Sequence, residues 1–243
     1  MDDGKAMKYV CVLPYAYKPY YDEFIKTCKI PLKNILFIDN TEKNIGIMKA
    51  HNLGIKFMRE KNADWLIVMS ACLRFGEPGG MDFIKIIEKN PKALMIHGAG
   101  RWEHEGEVKT IALGWHLTAF NKKVFEAVGG WDENFTPYSL DDVDLTMRIQ
   151  KHFGKYYDLR VFPCDFEHAS TSHSITLAGV KASFLPRHEY FKRKWGKEAS
   201  DWQNDGYATP FNLKKPLSYC PVEHDFLSIW QNEYLAGGYN FND

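Results

Sequence analysis

The chain opens on a repeating alternation of apolar runs and helically spaced segments. Lys8-Tyr9-Val10-Cys11-Val12-Leu13-Pro14 reads as a buried strand, and Tyr20 to Lys29 then places Tyr21, Phe24, Ile25 and Cys28 at helical spacing. A second run, Asn34 to Ile38, stops at Asp39-Asn40-Thr41. A helix is predicted from about Gly46 to Glu60, with Ile47, Ala50, Gly54 and Phe57 on one face. The third run is Trp65 to Met69, followed by Gly76-Glu77-Pro78-Gly79-Gly80 and a helix over Met81 to Lys89. Ala93 to Ile96 forms a fourth run. Such alternation predicts an α/β protein with a mostly parallel sheet and right-handed crossovers, flanked by helices.

The second half changes texture. A polar stretch covers Gly98 to Lys109, an apolar one Gly114 to Phe120, and helices are predicted over Lys122 to Val128 and Leu140 to Phe153, separated by a Gly129-Gly130 break. Beyond His168 the alternation stops. Residues 181–243 read as a helix and an aromatic-rich extension packed on a main domain of residues 1–180.

Composition narrows the class. With 243 residues, 45% hydrophobic and 26% charged, the chain can bury a sizeable core without a disulfide or metal staple. Lys plus Arg (31) equals Asp plus Glu (31), so overall charge selects no polyanionic partner. No apolar run approaches the roughly 20 residues that span a bilayer, and MDDGKAMKYV lacks the layout of a secretory signal. Five scattered cysteines without a CxxC pair read as reduced thiols, and a cytoplasmic location is expected.

Candidate chemistry sits at strand ends, because parallel sheets bind ligands beyond the carboxyl ends of their strands. Those ends are Pro14-Tyr15-Ala16, Asp39-Asn40-Thr41 and Ser70-Ala71-Cys72. No P-loop, GxGxxG, HExxH or GxSxG pattern is present. Five pieces instead follow in order: Asp39; Asn44-Ile45-Gly46 with Ala50, Asn52 and Gly54; Ala63-Asp64-Trp65; Gly129-Gly130-Trp131-Asp132-Glu133; and Asp141-Asp142-Val143-Asp144-Leu145 with Arg148. Over residues 8–175 this order resembles the inverting family 2 glycosyltransferases, which have the GT-A fold.

The resemblance implies a donor site at Pro14, Tyr15, Ala16, Asp39, Asn44, Gly46, Asn52, Ser70, Ala71, Cys72 and Arg74. An ionised Asp39 would accept the N3–H of uracil, a donor that cytosine does not offer, which points to a UDP-linked sugar. The other reading of Asp39 is a turn-capping residue, and the other reading of Asn44, Gly46 and Asn52 is ordinary cap and helix-packing chemistry. Asp142 takes the family's general-base position, with Asp141 beside it, although three acids opening a helix also complement its dipole. Trp115, His116, Gly130, Trp131, Asp132 and Asp141 are implied on the acceptor side, with core packing the alternative for Trp131.

One departure from the family matters. Its Asp-x-Asp motif, which holds Mn²⁺ or Mg²⁺ against the diphosphate, aligns here with Ser70-Ala71-Cys72, so the usual hard oxygen ligands are missing. Either a weakly held Mn²⁺ or Mg²⁺ persists, with His168 as a ligand, or a basic group such as Arg74, Arg101 or Lys109 takes its place. A third account is a non-catalytic nucleotide-sugar binder. Finally, Lys181, Arg187, Lys192, Arg193, Lys194 and Lys197, interleaved with Tyr190, Phe191 and Trp195, form a strip that could contact phosphates and bases, or could be a solvated helix face. The chain also resembles bacteriophage enzymes that glycosylate hydroxymethylated cytosine, so the acceptor is either a saccharide or DNA.

Overall fold

The computed structural model describes residues 7–104, 107–112, 115–135, 140–154, 159–168, 185–199 and 201, with backbone alone over 99–104, 107–112, 159–168 and 185–186. Among these residues, eight strands form one sheet: β1 (Tyr9–Tyr15), β2 (Ile35–Asp39), β3 (Trp65–Met69), β4 (Leu73–Phe75), β5 (Met95–His104), β6 (Glu107–Ala112), β7 (Leu117–Asn121) and β8 (Leu159–His168). Their order is β2-β1-β3-β7-β5-β8-β4, with β6 paired to β5. β1, β2, β3, β5 and β8 run one way, and β4, β6 and β7 run the other. The anticipated α/β architecture, with most strands sharing one direction, is thus present.

Among the described residues six α-helices flank the sheet: α1 (Lys18–Thr27), α2 (Ile47–Glu60), α3 (Met81–Lys89), α4 (Lys122–Val128), α5 (Asp141–Phe153) and α6 (Leu185–Trp195). All five residues of β3 are buried, because helices cover both of its faces. On one side Cys11, Leu13, Ile67, Met69 and Ala119 meet Phe24 of α1 and Phe83 and Ile87 of α3. On the other, Val12, Leu66, Val68 and Phe120 meet α2, α4, α5 and α6. A helix can lie this close to β1 because Gly54 has no side chain: a Cβ there would come within 2.8 Å of the Val12 Cβ.

Local signals explain several boundaries. Pro19 stands in the first turn of α1. The Asn121 side chain caps α4 by accepting from Lys123 N–H at 3.1 Å. Gly154, at φ +94°, follows the end of α5. The polar stretch expected after Gly98 is instead strand: β5 runs on to His104 and pairs with β6 from Ala99↔Ala112 to His104↔Glu107. No helix among the described residues is long and apolar enough to cross a membrane.

Candidate active site

The parallel register sets Tyr15 beside Asp39. The Tyr15 hydroxyl donates to Asp39 Oδ2 at 2.8 Å, and its ring stacks on Tyr21 with centroids 4.4 Å apart. Asp39 Oδ1 accepts from the Thr41 N–H at 2.9 Å and the Thr41 hydroxyl at 2.6 Å. These Thr41 bonds, with help from Tyr15, hold the Asp39 carboxyl below the usual range, so it is ionised at neutral pH. Burial and then Asp39 push the Tyr15 hydroxyl up to about 12. Asp39 therefore caps a turn, as one of its two readings had it. It is also exposed, and Oδ2 keeps a second lone pair for an incoming donor. Pro14 and Ala16 flank Tyr15, half-buried.

Loop 40–46 is fastened by its own amides. Asn40 Oδ1 accepts from Ile45 N–H at 3.2 Å and Asn44 Oδ1 from Gly46 N–H at 2.9 Å, with Gly46 at φ +80° leading into α2. Asn44 and Gly46 thus shape the entry to the helix. Asn52 departs further from its donor-side expectation. Its Oδ1 accepts from Trp131 N–H at 2.8 Å, while Nδ2 donates to the Trp131 carbonyl at 3.0 Å and to Glu133 Oε1 at 2.8 Å. The amide is consumed in clamping α2 to the Gly129–Glu133 loop. Gly130 serves the same clamp, since a Cβ there would collide with Asn52 Oδ1.

The turn after β3 is tight. Leu73 N–H donates to the Ser70 carbonyl at 3.2 Å, and Ser70 Oγ and Cys72 Sγ are hydrogen-bonded at 2.7 Å. Ser70 N–H donates to the His116 carbonyl at 2.9 Å, so the His116 backbone lies against this turn. Ala71 and Cys72 are buried. Burial pushes the Cys72 thiol up to about 11, so it is protonated. A protonated thiol and a neutral hydroxyl do not fit a hard divalent cation. Among the described residues no group of three or more His, Cys, Asp or Glu could hold a metal. The backbone of His168 pairs with Leu73 on the neighbouring strand, and its side chain lies outside the described ones, as do those of Arg101 and Lys109. Lys181 lies wholly outside the described residues.

Three acceptor-side expectations are corrected. Trp131 is 0% exposed, packed with His51, Trp115, Phe120 and Phe125 at centroid distances of 4.8, 5.6, 5.4 and 5.3 Å. It belongs to the core, not to an acceptor surface. Asp132 is equally buried, accepting from Asn134 Nδ2 at 2.8 Å, the Tyr190 hydroxyl at 2.7 Å and Lys194 Nζ at 2.7 Å. Gly130 is the Asn52 cradle already described. Trp115 remains half-buried, edge-on to Phe120 at 5.3 Å.

The acids opening α5 are sorted by their surroundings. Asp144 is fully buried among Arg148 Nε at 2.9 Å, Lys194 Nζ at 2.6 Å and Trp195 Nε1 at 2.9 Å. Burial alone would raise its carboxyl, but Lys194 and Arg148 overcome that and hold it below the usual range. Asp142 is half-buried beside Asp141, accepts from Val143 N–H at 2.8 Å, and has its carboxyl pushed up by burial.

The basic strip is also corrected. Arg187, Tyr190 and Phe191 are buried, and the Lys194 side chain is 13% exposed between Asp132 and Asp144. Lys192 pairs with Glu198 at 3.0 Å. This side of α6 fastens the helix to the core. Lys194, read from the sequence as a member of that strip, is an internal partner of Asp132 and Asp144, and Tyr20, described below, is the residue that sequence reasoning missed.

No family model matches the chain, and no curated protein matches it. Among solved structures, it is similar to the mannosyltransferase PcManGT from Pyrobaculum calidifontis in complex with GDP-Man and Mn²⁺, at 11% identity over 85% of this chain and 70% of that one, with TM-score 0.51. S. aureus TarS 1-349 in complex with UDP gives 10% identity over 86% and 76%, TM-score 0.49. GalNAc-T7 with UDP, GalNAc and Mn²⁺ gives 12% over 96% and 55%, TM-score 0.49. The likeness to the mannosyltransferase shows the fold, which is GT-A.

Proposed function

We propose that the chain is an inverting glycosyltransferase that moves a hexosyl or pentosyl group from a UDP-sugar to an acceptor hydroxyl. One observation carries the reading: of the acids opening α5, Asp144 is locked in buried ion pairs, while Asp142 is half-buried with a carboxyl pushed up by burial. A general base needs that combination of access and raised proton affinity. Asp39, ionised and exposed at the end of β2, supports uracil as the base of the donor.

In the reaction, the acceptor hydroxyl oxygen attacks the anomeric carbon opposite the diphosphate. A new C–O bond forms as the bond to the β-phosphate oxygen breaks, and that electron pair leaves with UDP. The hydroxyl proton passes to Asp142. Pro14, Tyr15 and Ala16 line the nucleoside side, and His116, through its backbone bond to Ser70, stands between donor and acceptor sides. With Lys194 committed to Asp132 and Asp144, the strip on α6 lends no support to a DNA acceptor. A saccharide hydroxyl is therefore the preferred acceptor class.

The turn at 70–72 favours a second reading, a nucleotide-sugar-binding protein without turnover, because it lacks acids at both outer positions. A panel of UDP- and GDP-sugars screened by thermal shift, followed by release of free nucleotide, separates the two. An enzyme raises its melting temperature with UDP-sugars and slowly hydrolyses the best of them. A binder shows the shift and leaves the donor intact, and no shift with any donor contradicts both readings.

A further inference from the structure

We infer that Arg74, held rigid by Tyr20 and by two backbone carbonyls, is the cation that receives the donor diphosphate in this chain, in place of a divalent metal. The inference rests on the nucleotide-sugar reading and deepens it by assigning the phosphate subsite.

Positions 70–72 do not fit a divalent metal. A GT-A donor site must balance the charge that grows on the diphosphate as it departs. Ser70 and Cys72 supply no anionic oxygen, and they spend their polar atoms on each other at 2.7 Å. The turn that would present a metal thus presents neutral groups, and positive charge has to come from a side chain.

Arg74 follows this turn by two residues and folds back over it. Its Nη1 donates to the Ala71 carbonyl at 3.1 Å and to the Leu73 carbonyl at 2.9 Å, and its guanidinium carbon lies 5.2 Å from the Tyr20 ring centroid. Two carbonyls and an aromatic face fix a side chain that otherwise loses much rotamer entropy on binding. None of these three partners neutralises it. Among the described residues no carboxylate forms an ion pair with Arg74, and Glu23, which feels its charge, is bonded to Lys26. The guanidinium is half-buried, so its field is less screened than that of a surface lysine. A planar, permanently charged fork with further N–H donors suits two phosphate oxygens.

Tyr20 is in this account a positioning residue. It needs its ring and not its hydroxyl, because the contact is with the ring face. Lys18 and Asp22 on the same helix are bonded to each other, as are Lys26 and Glu23, so these described lysines are already paired with carboxylates.

The test is calorimetric titration of UDP into the full chain, with excess chelator and again with Mn²⁺. The expected result is UDP binding in chelator, strengthened less than about threefold by Mn²⁺ and weakened at least tenfold by Arg74→Gln, with Arg74→Lys in between. Tyr20→Phe should bind as the wild type does, and Tyr20→Leu several-fold more weakly. Melting temperatures identify any variant that is not folded, and Tyr20→Phe and Arg74→Lys keep the test open if the larger changes disrupt the turn. UDP binding that requires Mn²⁺, or an Arg74→Gln protein that binds as tightly as the wild type, overturns the inference while leaving the nucleotide-sugar reading intact. Binding of neither UDP nor GDP under either condition overturns that reading itself, and the inference with it.

Discussion

At the residue scale, the chemistry turns on how burial treats individual ionisable groups. Asp142 is useful as a base only when ionised, and its carboxyl is pushed up by burial. kcat/KM should therefore fall as pH drops through a value above the usual carboxylate range, with activity retained on the alkaline side. Asp142→Asn keeps the shape but cannot take the proton, so turnover should fall ~10²-fold or more with donor affinity little changed. Steady-state rates across pH, beside a donor titration, check both. His51 shows the opposite use of burial. Neither ring nitrogen has a hydrogen-bond partner, and burial lowers the imidazole from 6.5 to about 3. Between those values the unfolded chain holds one more proton than the folded one, so stability declines as pH falls. His51→Leu should flatten that slope by about 1.4 kcal/mol per pH unit, read from urea melts at pH 4 to 6. An unchanged slope would mean that His51 is accessible to protons in the native state.

At the element scale, α6 shows how a face can be misread. Arg187, Tyr190, Phe191, Lys194 and Trp195 recur at the i, i+3, i+4, i+7, i+8 spacing of a buried stripe, but four of the five bear a polar N–H or O–H. Counted as charges they resembled a phosphate-binding strip; counted by position they mark the side that packs. Lys194 joins Asp132 at 2.7 Å and Asp144 at 2.6 Å, so α6 holds the glycine loop and α5 together. Lys194→Met leaves two buried carboxylates short of a cation and should cost about 3–5 kcal/mol in urea unfolding. Arg193→Gln, on the exposed side, should change stability by less than about 0.5 kcal/mol. Asp144 contributes stability above the usual carboxylate pKa, and this contribution is lost as pH falls towards its depressed value, so the cost of Lys194→Met should shrink in acid. The elements with strong periodicity, such as Trp65–Met69, Met81–Lys89 and Lys122–Val128, are readable from sequence. β6 and the outer half of β5 are not, because Gly98 to Lys109 has no apolar alternation and its strands are fixed by pairing alone. A packing role was one of the two sequence readings of Asn52, but its partners were not legible, since they lie 79 and 81 residues away.

At the scale of the whole molecule, the sheet carries the proposed donor site on strands of the first half, while the proposed base opens a helix of the second. The two are held by separate devices: the Tyr15–Asp39 pair and the Arg74 turn at strand ends, and the Asn52 and Lys194 clamps behind the base helix. Balanced charge, 31 of each sign, provides no long-range attraction for a polyanion and fits an uncharged acceptor. The central claim, that this GT-A frame transfers a sugar with inversion through Asp142, is tested most directly by following an α-linked UDP-sugar with the full chain by ¹H and ³¹P NMR. UDP is expected to appear together with a β-configured product, and Asp142→Asn should produce neither above the ~10²-fold reduced rate. A product that keeps the α configuration, or a donor that binds and is returned unchanged by the wild type, would contradict the claim.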